Sequence, residues 1–203
     1  MRIEKPKIGV IVLAAGGSKR MNGEPKQLLI YRGKTLLRRA VETAVQAKFE
    51  TVAVVFGANP ESLKKEIDDL PAKVLINKNW ETGLGSSIKT GLSALSTKSL
   101  DAVIITLCDQ PLISTETLQN LVEVFARARP LIAAAKYAET IGVPALFASE
   151  IFDELMSLPN DAGAKRIINK YKKHKEKIVL VSAQTAEFDV DTFEDYEKLT
   201  LFY

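Results

Sequence analysis

At 203 residues, 46% of them apolar and 26% charged, the chain is long enough for one domain, running over 1–203, with a substantial core and an ordinary globular composition. A net charge of +3 with scattered lysines argues against a nucleic-acid partner, and a single cysteine, Cys108, excludes an internal disulfide and suits a reducing compartment. The N-terminal MRIEKPK leads straight into a strand without a signal peptide, and no apolar run approaches the ~20 residues of a membrane span, so a cytoplasmic chain with no membrane partner is expected.

Strand and helix patterns alternate along the chain, which predicts an α/β fold with a mostly parallel sheet and helices on both faces. Lys7–Leu13 is the first strand, apolar throughout after Lys7, as a strand buried on both faces must be. Thr35 can cap a helix from Leu36 to about Lys48, with Leu37, Val41 and Ala44 on one face. Thr51–Phe56 is a second buried strand, Glu61–Leu70 a short helix behind Pro60, and Lys73–Ile76 a third strand. Ser86–Leu95 reads as a helix behind Gly83 and Gly85, and Asp101–Leu107 as a fourth strand. Ser114 or Thr115 caps a helix to about Arg129. Further on come a strand over Leu131–Tyr137, a lead-in at Gly142–Pro144 and a strand over Ala145–Phe147. A helix from Ser149 to Leu158 and another from Ala164 to Lys173 follow. Strands at Ile178–Val181 and Phe188–Val190 and a helix at Phe193–Leu199 complete the chain.

The densest chemistry lies just after the first strand. Ala14-Ala15-Gly16-Gly17-Ser18 lets backbone approach a ligand closely, and Lys19, Arg20 and Lys26 add fixed positive charge. Backbone N–H groups and cations that surround phosphate oxygens make a nucleotide triphosphate loop. In open parallel sheets, ligands bind beyond the C-terminal strand ends. Asp109 falls there, after Ala102–Leu107, and so does Asp189-Val190-Asp191. Taken singly each acid also reads as a helix cap, but with a cationic loop opposite they suit Mg²⁺, which takes one or two carboxylates plus phosphate oxygens. Alternation alone does not choose between Asp189 and Asp191. Gly33-Lys34-Thr35 fails as a P-loop because position 28 is Leu, and Gly83-Leu84-Gly85 fails as a dinucleotide fingerprint because position 88 is Ile. The only histidine, His174, sits in a solvated cluster with Lys172, Lys173, Lys175 and Lys177, so no Ser/His/Asp triad is present. Cys108 reads as a small buried filler, and Trp80 as packing or as a flank of a base pocket.

Leu13–Met21 with Pro25-Lys26-Gln27-Leu28-Leu29, Trp80–Ser87 with Gly91-Leu92, Leu107–Pro111, Gly142–Phe147, Asp161–Lys165 and Asp189–Thr192 occur in an order that resembles the molybdenum cofactor cytidylyltransferase and molybdopterin-guanine dinucleotide synthase-like nucleotidyltransferase family. The resemblance implies a Rossmann-like three-layer αβα sandwich of the nucleotide-diphospho-sugar transferase type. It implies that a nucleotide monophosphate moves from an NTP to a phosphorylated acceptor, molybdopterin in this family, with release of pyrophosphate. Arg20, Lys26 and Asp109 would be catalytic. Leu13, Ala14, Ala15, Gly16, Gly17, Ser18, Lys19, Gly83, Gly85, Ser86 and Ser87 would bind the nucleotide with Arg20 and Lys26. Asp109 and Asp191 would hold Mg²⁺, or Mn²⁺. Gln110, Gly142, Pro144, Asp161, Gly163 and Lys165 would face the acceptor. Ala15 and Gln110 lean toward CTP as donor, and a molybdoenzyme or its chaperone is the protein partner implied. Val143, Cys108, Asn22-Gly23 and Lys165 depart from the family pattern, the first and last on the acceptor side. Two alternatives keep the same fold: a guanylyltransferase or other NTP transferase with a different phosphorylated acceptor, and a non-catalytic nucleotide-binding or chaperone protein.

Overall fold

The computed structural model describes residues 5–21, 23–95 and 99–202, apart from a few side chains that include Lys19, and Asn22 lies outside it. β1 (Ile8–Ala14) is fully buried and sits between β4 (Thr51–Phe56) and β6 (Ala102–Leu107), parallel to both. β5 (Lys73–Ile76) extends the sheet beside β4, and β8 (Thr140–Ala148), β7 (Ile132–Tyr137) and β9 (Ile178–Ser182) extend it beyond β6, in the order β5-β4-β1-β6-β8-β7-β9. Only β8 runs against the others. The strand order reverses at β1, which opens a crevice beyond the C-terminal ends of β1 and β6, where ligands bind in such sheets.

Alternation along β1 builds two cores. Val10, Val12 and Ala14 face a cluster that includes Leu37 and Val41 of α1 (Leu36–Gln46), Leu63 of α2 (Pro60–Lys65) and Leu121 of α4 (Thr115–Ala128). Ile11 and Leu13 face a second cluster with Ile88 of α3 (Leu84–Ala94), Leu155 of α5 (Phe152–Met156) and Ile168 of α6 (Lys165–Tyr171). The period of 2 is what puts helices on both faces. A third, smaller cluster joins Tyr31, Leu36, Val190 and Leu199 and docks α7 (Phe193–Phe202) near the start of α1. Among the described residues no helix is long and apolar enough to cross a membrane.

The predicted caps are present: the Thr35 hydroxyl accepts from the Arg38 N–H and the Ser114 hydroxyl from the Thr117 N–H. Five segments differ from the pattern. The helix expected to reach Leu70 ends as α-helix at Lys65, and the turns after it close i to i+3 bonds such as Ile67 N–H to Lys64 C=O. Residues 188–190 are not a strand but irregular chain after a 3₁₀ turn at Gln184–Glu187, where the Val190 N–H bonds to the Asp109 carbonyl and the Val190 side chain joins the Tyr31 cluster rather than a sheet edge. The helix expected over Ser149–Leu158 is a 3₁₀ turn followed by the short α5. Gly142, Val143 and Pro144 belong to β8 itself, where the register against β7 jumps from Ala134–Ala145 to Ala135–Gly142 and accommodates Pro144, which has no N–H to donate, behind a cis peptide bond. A two-stranded hairpin, β2 (Ile30–Tyr31) and β3 (Lys34–Thr35), turns at Arg32-Gly33, both at positive φ as a tight hairpin turn needs.

Phe147 is fully buried in β8 and belongs to the core under the crevice. Phe147→Ala is expected to lower unfolding stability by about 3–5 kcal/mol in urea denaturation. A loss below ~1 kcal/mol would contradict the packing described.

Candidate functional site

Three chain segments meet at the C-terminal end of β1 and β6. The first is the loop after β1. Gln27, 2% exposed, donates through Nε2 to the carbonyls of Ala14 (3.1 Å) and Gly16 (2.7 Å) and so fixes the loop from inside. The Ser18 hydroxyl accepts from the Lys26 N–H at 2.9 Å and faces Gln27 Oε1 at 3.4 Å. Trp80 holds the loop from outside: a Cβ on Gly17 would lie 2.5 Å from its indole, and one on Gly57, at the end of β4, would lie 2.5 Å from it and 2.4 Å from the Ala15 carbonyl. Gly16, between these restraints, has open space where a Cβ would stand. Trp80 is therefore a packing element of the loop, and Gln27 and Gly57 are site residues that composition and spacing did not single out.

The second and third segments carry the acids. Asp109 follows β6 directly, and the Val190 N–H donates to the Asp109 carbonyl at 2.9 Å, which brings Asp191 beside it. Neither acid is spent on capping a helix. Ser114 caps α4, and Asp195 accepts from the Asp191 and Thr192 N–H groups while the Thr192 hydroxyl accepts from the Asp195 N–H. The Asp191 side chain is thus left to face Lys26.

The Lys26 ammonium joins the three segments. Nζ lies 2.6 Å from Asp109 Oδ2 and 2.8 Å from Asp191 Oδ1, and Arg20 Nη1 lies 2.8 Å from Asp191 Oδ2. Burial works against the Lys26 charge, but Asp109 and then Asp191 outweigh it and raise the ammonium above its ordinary range. Asp191 is held below the usual carboxylate range: partial burial opposes ionisation, and Lys26 and Arg20 overcome it. Asp189, across from them, goes the other way. Desolvation first, then Asp109, push its carboxyl up to about 6 even though the residue keeps contact with solvent. Burial likewise pushes the Cys108 thiol up, which suits a packed, unreactive sulfur. Asp109 Oδ1 is buried and has no hydrogen-bond partner among the described residues, although its carboxylate is the second acceptor of a tight ion pair. Two neighbouring carboxylates, one with an unpaired oxygen, beside a cationic loop are hard donors that fit a divalent cation arriving with phosphate oxygens. Among the described residues no three acidic, His or Cys groups converge to hold a metal unaided.

A cavity of about 220 Å³ opens beside these acids. Its floor is apolar, from Leu13, Ile88 and Ile105, and its polar wall is Gln110, Tyr137, Lys165 and Asp189, with Gly142 and Gly163 on the rim. Gln110 is 3% exposed. It donates to the carbonyls of Ala186 (3.0 Å) and Val143 (3.3 Å), while its Oε1 has no partner among the described residues. Burial and then Asp189 raise the Tyr137 phenol.

The other residues expected at the site are placed differently. The Ser86 and Ser87 hydroxyls both accept from Asn77 Nδ2, at 2.7 and 2.9 Å, and Ser87 is 1% exposed. Gly83, at φ +122°, and Gly85 admit the backbone of residues 159–162: a Cβ would fall 2.5 Å from the Asn160 carbonyl and 2.2 Å from the Pro159 carbonyl. The Gly85 N–H donates to Asn160 at 2.9 Å. Asp161 therefore packs by its backbone against Gly83, and neither it nor Pro144 lines the cavity. The Lys19 side chain lies outside the described residues.

Comparison with known proteins identifies the domain family. The profile of the MobA-like NTP transferase domain matches residues 10–176. Nicotine blue oxidoreductase of Paenarthrobacter nicotinovorans is 31% identical over 96% of this chain and 97% of its own. Purine catabolism protein PucB of Bacillus subtilis is 30% identical over 94% of each chain. Among solved structures, Rv0371c of Mycobacterium tuberculosis superposes with a TM-score of 0.82 at 28% identity over 97% of this chain and 98% of that one. A manganese complex of the same protein gives a TM-score of 0.79 at 25% identity over 97% and 100%.

The raised Asp189 carboxyl has a measurable consequence. Between its unfolded value near 3.8 and its folded value of about 6, the folded chain holds a proton that the unfolded chain has released, so this group lowers stability as pH rises through that window. In metal-free protein, Asp189→Asn is expected to melt with wild type at pH 4 and above it at pH 7. Equal melting temperatures at both pH values would contradict the placement of Asp189 among the other acids.

Proposed function

Because the chain belongs to the MobA-like NTP transferase family, we propose that it forms one nucleotidyltransferase domain that moves a nucleotide monophosphate from an NTP to a phosphorylated small-molecule acceptor and releases pyrophosphate. The observation that carries this reading is the Lys26 ammonium shared by Asp109 and Asp191 at the mouth of the β1 loop. CTP is the proposed donor and molybdopterin the proposed acceptor, as the resemblance in Ala15, Gln110 and the acceptor loops implies. The single, buried Cys108 suits the reducing cytoplasm.

Each residue has a role in the proposed reaction. The loop Ala14–Ser18, fixed by Gln27, gives backbone donors and open space at Gly16 for the triphosphate. Arg20, largely exposed, reaches outward to the β- and γ-phosphates. Lys26 would leave its acids for the α-phosphate when nucleotide enters, because the α-phosphate monoanion can take its charge while a divalent cation held by Asp109 and Asp191 would compensate the acids. Asp109 and Asp191 would hold Mg²⁺ or Mn²⁺, as supported by the orphaned Asp109 oxygen and by the manganese complex of Rv0371c. When bound, the metal supplies neutralisation of the charge that builds on the phosphoryl oxygens. The acceptor lies in the cavity walled by Gln110, Tyr137, Lys165 and Asp189, with its phosphate toward Lys26. That phosphate is already a nucleophile, so positioning replaces any protein nucleophile. Once pyrophosphate leaves, Lys26 closes again on Asp109 and Asp191.

The name of the 31% identical relative favours a second reading, oxidoreduction of nicotine blue in the same cavity. The two separate by product. Purified protein given CTP, Mg²⁺ and molybdopterin is expected to release pyrophosphate, and Asp109→Asn to lower kcat/KM at least ~10²-fold, since a metal clamp contributes several kcal/mol to the transition state. Pyrophosphate release unchanged in Asp109→Asn would remove Asp109 from the mechanism. Turnover of nicotine blue with a reduced nicotinamide, and none with any NTP, would replace the transferase reading. For the base, CTP with Mg²⁺ is expected to raise the melting temperature more than GTP does, with about 2.7 kcal/mol of stabilisation at a hundredfold excess over Kd. A larger GTP shift would overturn CTP as donor.

A further inference from the structure

A second concentration of positive charge lies away from the phosphate loop, where the β2–β3 hairpin meets α1. Arg32 and Lys34 of the hairpin and Arg39 of α1 line one recess of about 230 Å³ together with Glu42, Thr43 and Gln46. The charges there do not balance. Glu42 is the recess's only acid, and it is already taken by Lys34 at 2.5 Å through Oε2 and by Arg38 at 3.0 Å through Oε1. Arg38 turns away from the recess to Asp69, at 2.7 Å. Arg32 and Arg39 have no carboxylate partner among the described residues. Both guanidinium groups are packed on the ring of Tyr31, at 5.3 and 4.8 Å, and Tyr31 is itself 3% exposed and anchored in the small third core. Arg39 Nε is buried with no hydrogen-bond partner.

Arg32, exposed, and Arg39, half-buried, stack on one buried ring, and neither guanidinium is tied up by an acid among the described residues. A buried donor without a partner, as at Arg39 Nε, is rare in folded proteins. The planar guanidinium fork matches the oxygens of phosphate, and a recess with three cations against one acid carries net positive charge that attracts anions. The Thr43 and Gln46 side chains stand at the same wall and add neutral hydrogen-bonding groups. The tight turn at Arg32-Gly33, with both residues at positive φ, explains why Arg32 is carried back over Tyr31 rather than away from the fold. None of the residues that line the recess takes part in the Lys26 cluster, so the two cationic sites are separate. Arg39 and Thr43 also line a small interior cavity closed on its far side by Gln110 and Pro111, so the recess backs onto the segment that carries Asp109.

We propose that the recess formed by Arg32, Lys34 and Arg39 is a second anion site, built to take a phosphate dianion, either free or as the head group of a small phosphomonoester.

Isothermal titration with inorganic phosphate tests this in Lys26→Met protein, where the competing loop site is weakened. Lys26→Met is expected to keep one phosphate site, weakening as NaCl rises. Adding Arg39→Met or Arg32→Gln is expected to weaken that site at least tenfold. Arg32→Gln alters an exposed side chain, so it also serves in the otherwise wild-type chain, where it should weaken one phosphate site at least tenfold while the chain still melts as a folded protein without phosphate. Glycerol 3-phosphate binding tighter than phosphate identifies an ester head group as the ligand, and the reverse identifies the free ion. Phosphate binding unchanged by Arg32→Gln and by Arg39→Met would overturn the proposal, as would the absence of any phosphate site in Lys26→Met protein that melts as a folded chain.

Discussion

The ammonium of Lys26 ties the loop after β1 to both acid-bearing segments of the site. It lies within 2.8 Å of two carboxylates that are far apart in sequence, Asp109 after β6 and Asp191 before α7. Taking either partner away from a partly buried pair leaves charge without compensation, and for a fully buried pair that costs about 3–5 kcal/mol. Lys26 and Asp109 are both mostly shielded from water, so the pair approaches that limit, whereas Asp191 is more open. The arrangement is therefore a stored electrostatic state. Two acids close enough to repel each other are held together by a cation, which under the proposed function nucleotide and metal would displace.

The fold makes this possible by supplying the rigid parts. β1 is buried on both faces, so its end cannot move without disturbing both cores. Gln27 then fixes the loop carbonyls from within, and Trp80 presses on it from outside. The bond from Val190 to Asp109 brings the late acidic segment to the same point, and the cluster of Tyr31, Leu36, Val190 and Leu199 holds it there. Preorganised charge of this kind is what a phosphoryl transfer needs, since the reaction asks for positioning and neutralisation more than for a nucleophile.

Much of this was legible in the chain before folding. The apolar run Ile8–Leu13, the small residues after it and the acids at strand ends carry strong local signals, and the structure gathers Arg20, Lys26, Asp109 and Asp191 at one place, paired with one another. What was not legible depended on distant partners. Ser86 and Ser87 look like ligand groups until Asn77 is seen to use both hydroxyls. Gly83 and Gly85 look like a nucleotide loop until the backbone of residues 159–162 is seen lying against them. The strand expected at Phe188–Val190 had the right residue types, but Val190 is drawn to the Asp109 carbonyl and the Tyr31 cluster instead of a sheet edge. Gln27 and the Arg32–Arg39 pair on Tyr31 left no periodic trace, because their importance lies in hydrogen bonds and stacking across the fold.

The proposed role of the Lys26 cluster is most directly tested by a crystal structure of the chain with Mn²⁺ and a non-hydrolysable CTP analogue, using the anomalous signal of manganese. The expected result is a manganese peak against Asp109 and Asp191, with the Lys26 ammonium moved from the acids to the phosphates. Nucleotide bound elsewhere, or manganese away from both acids while Lys26 stays on Asp109, would contradict it.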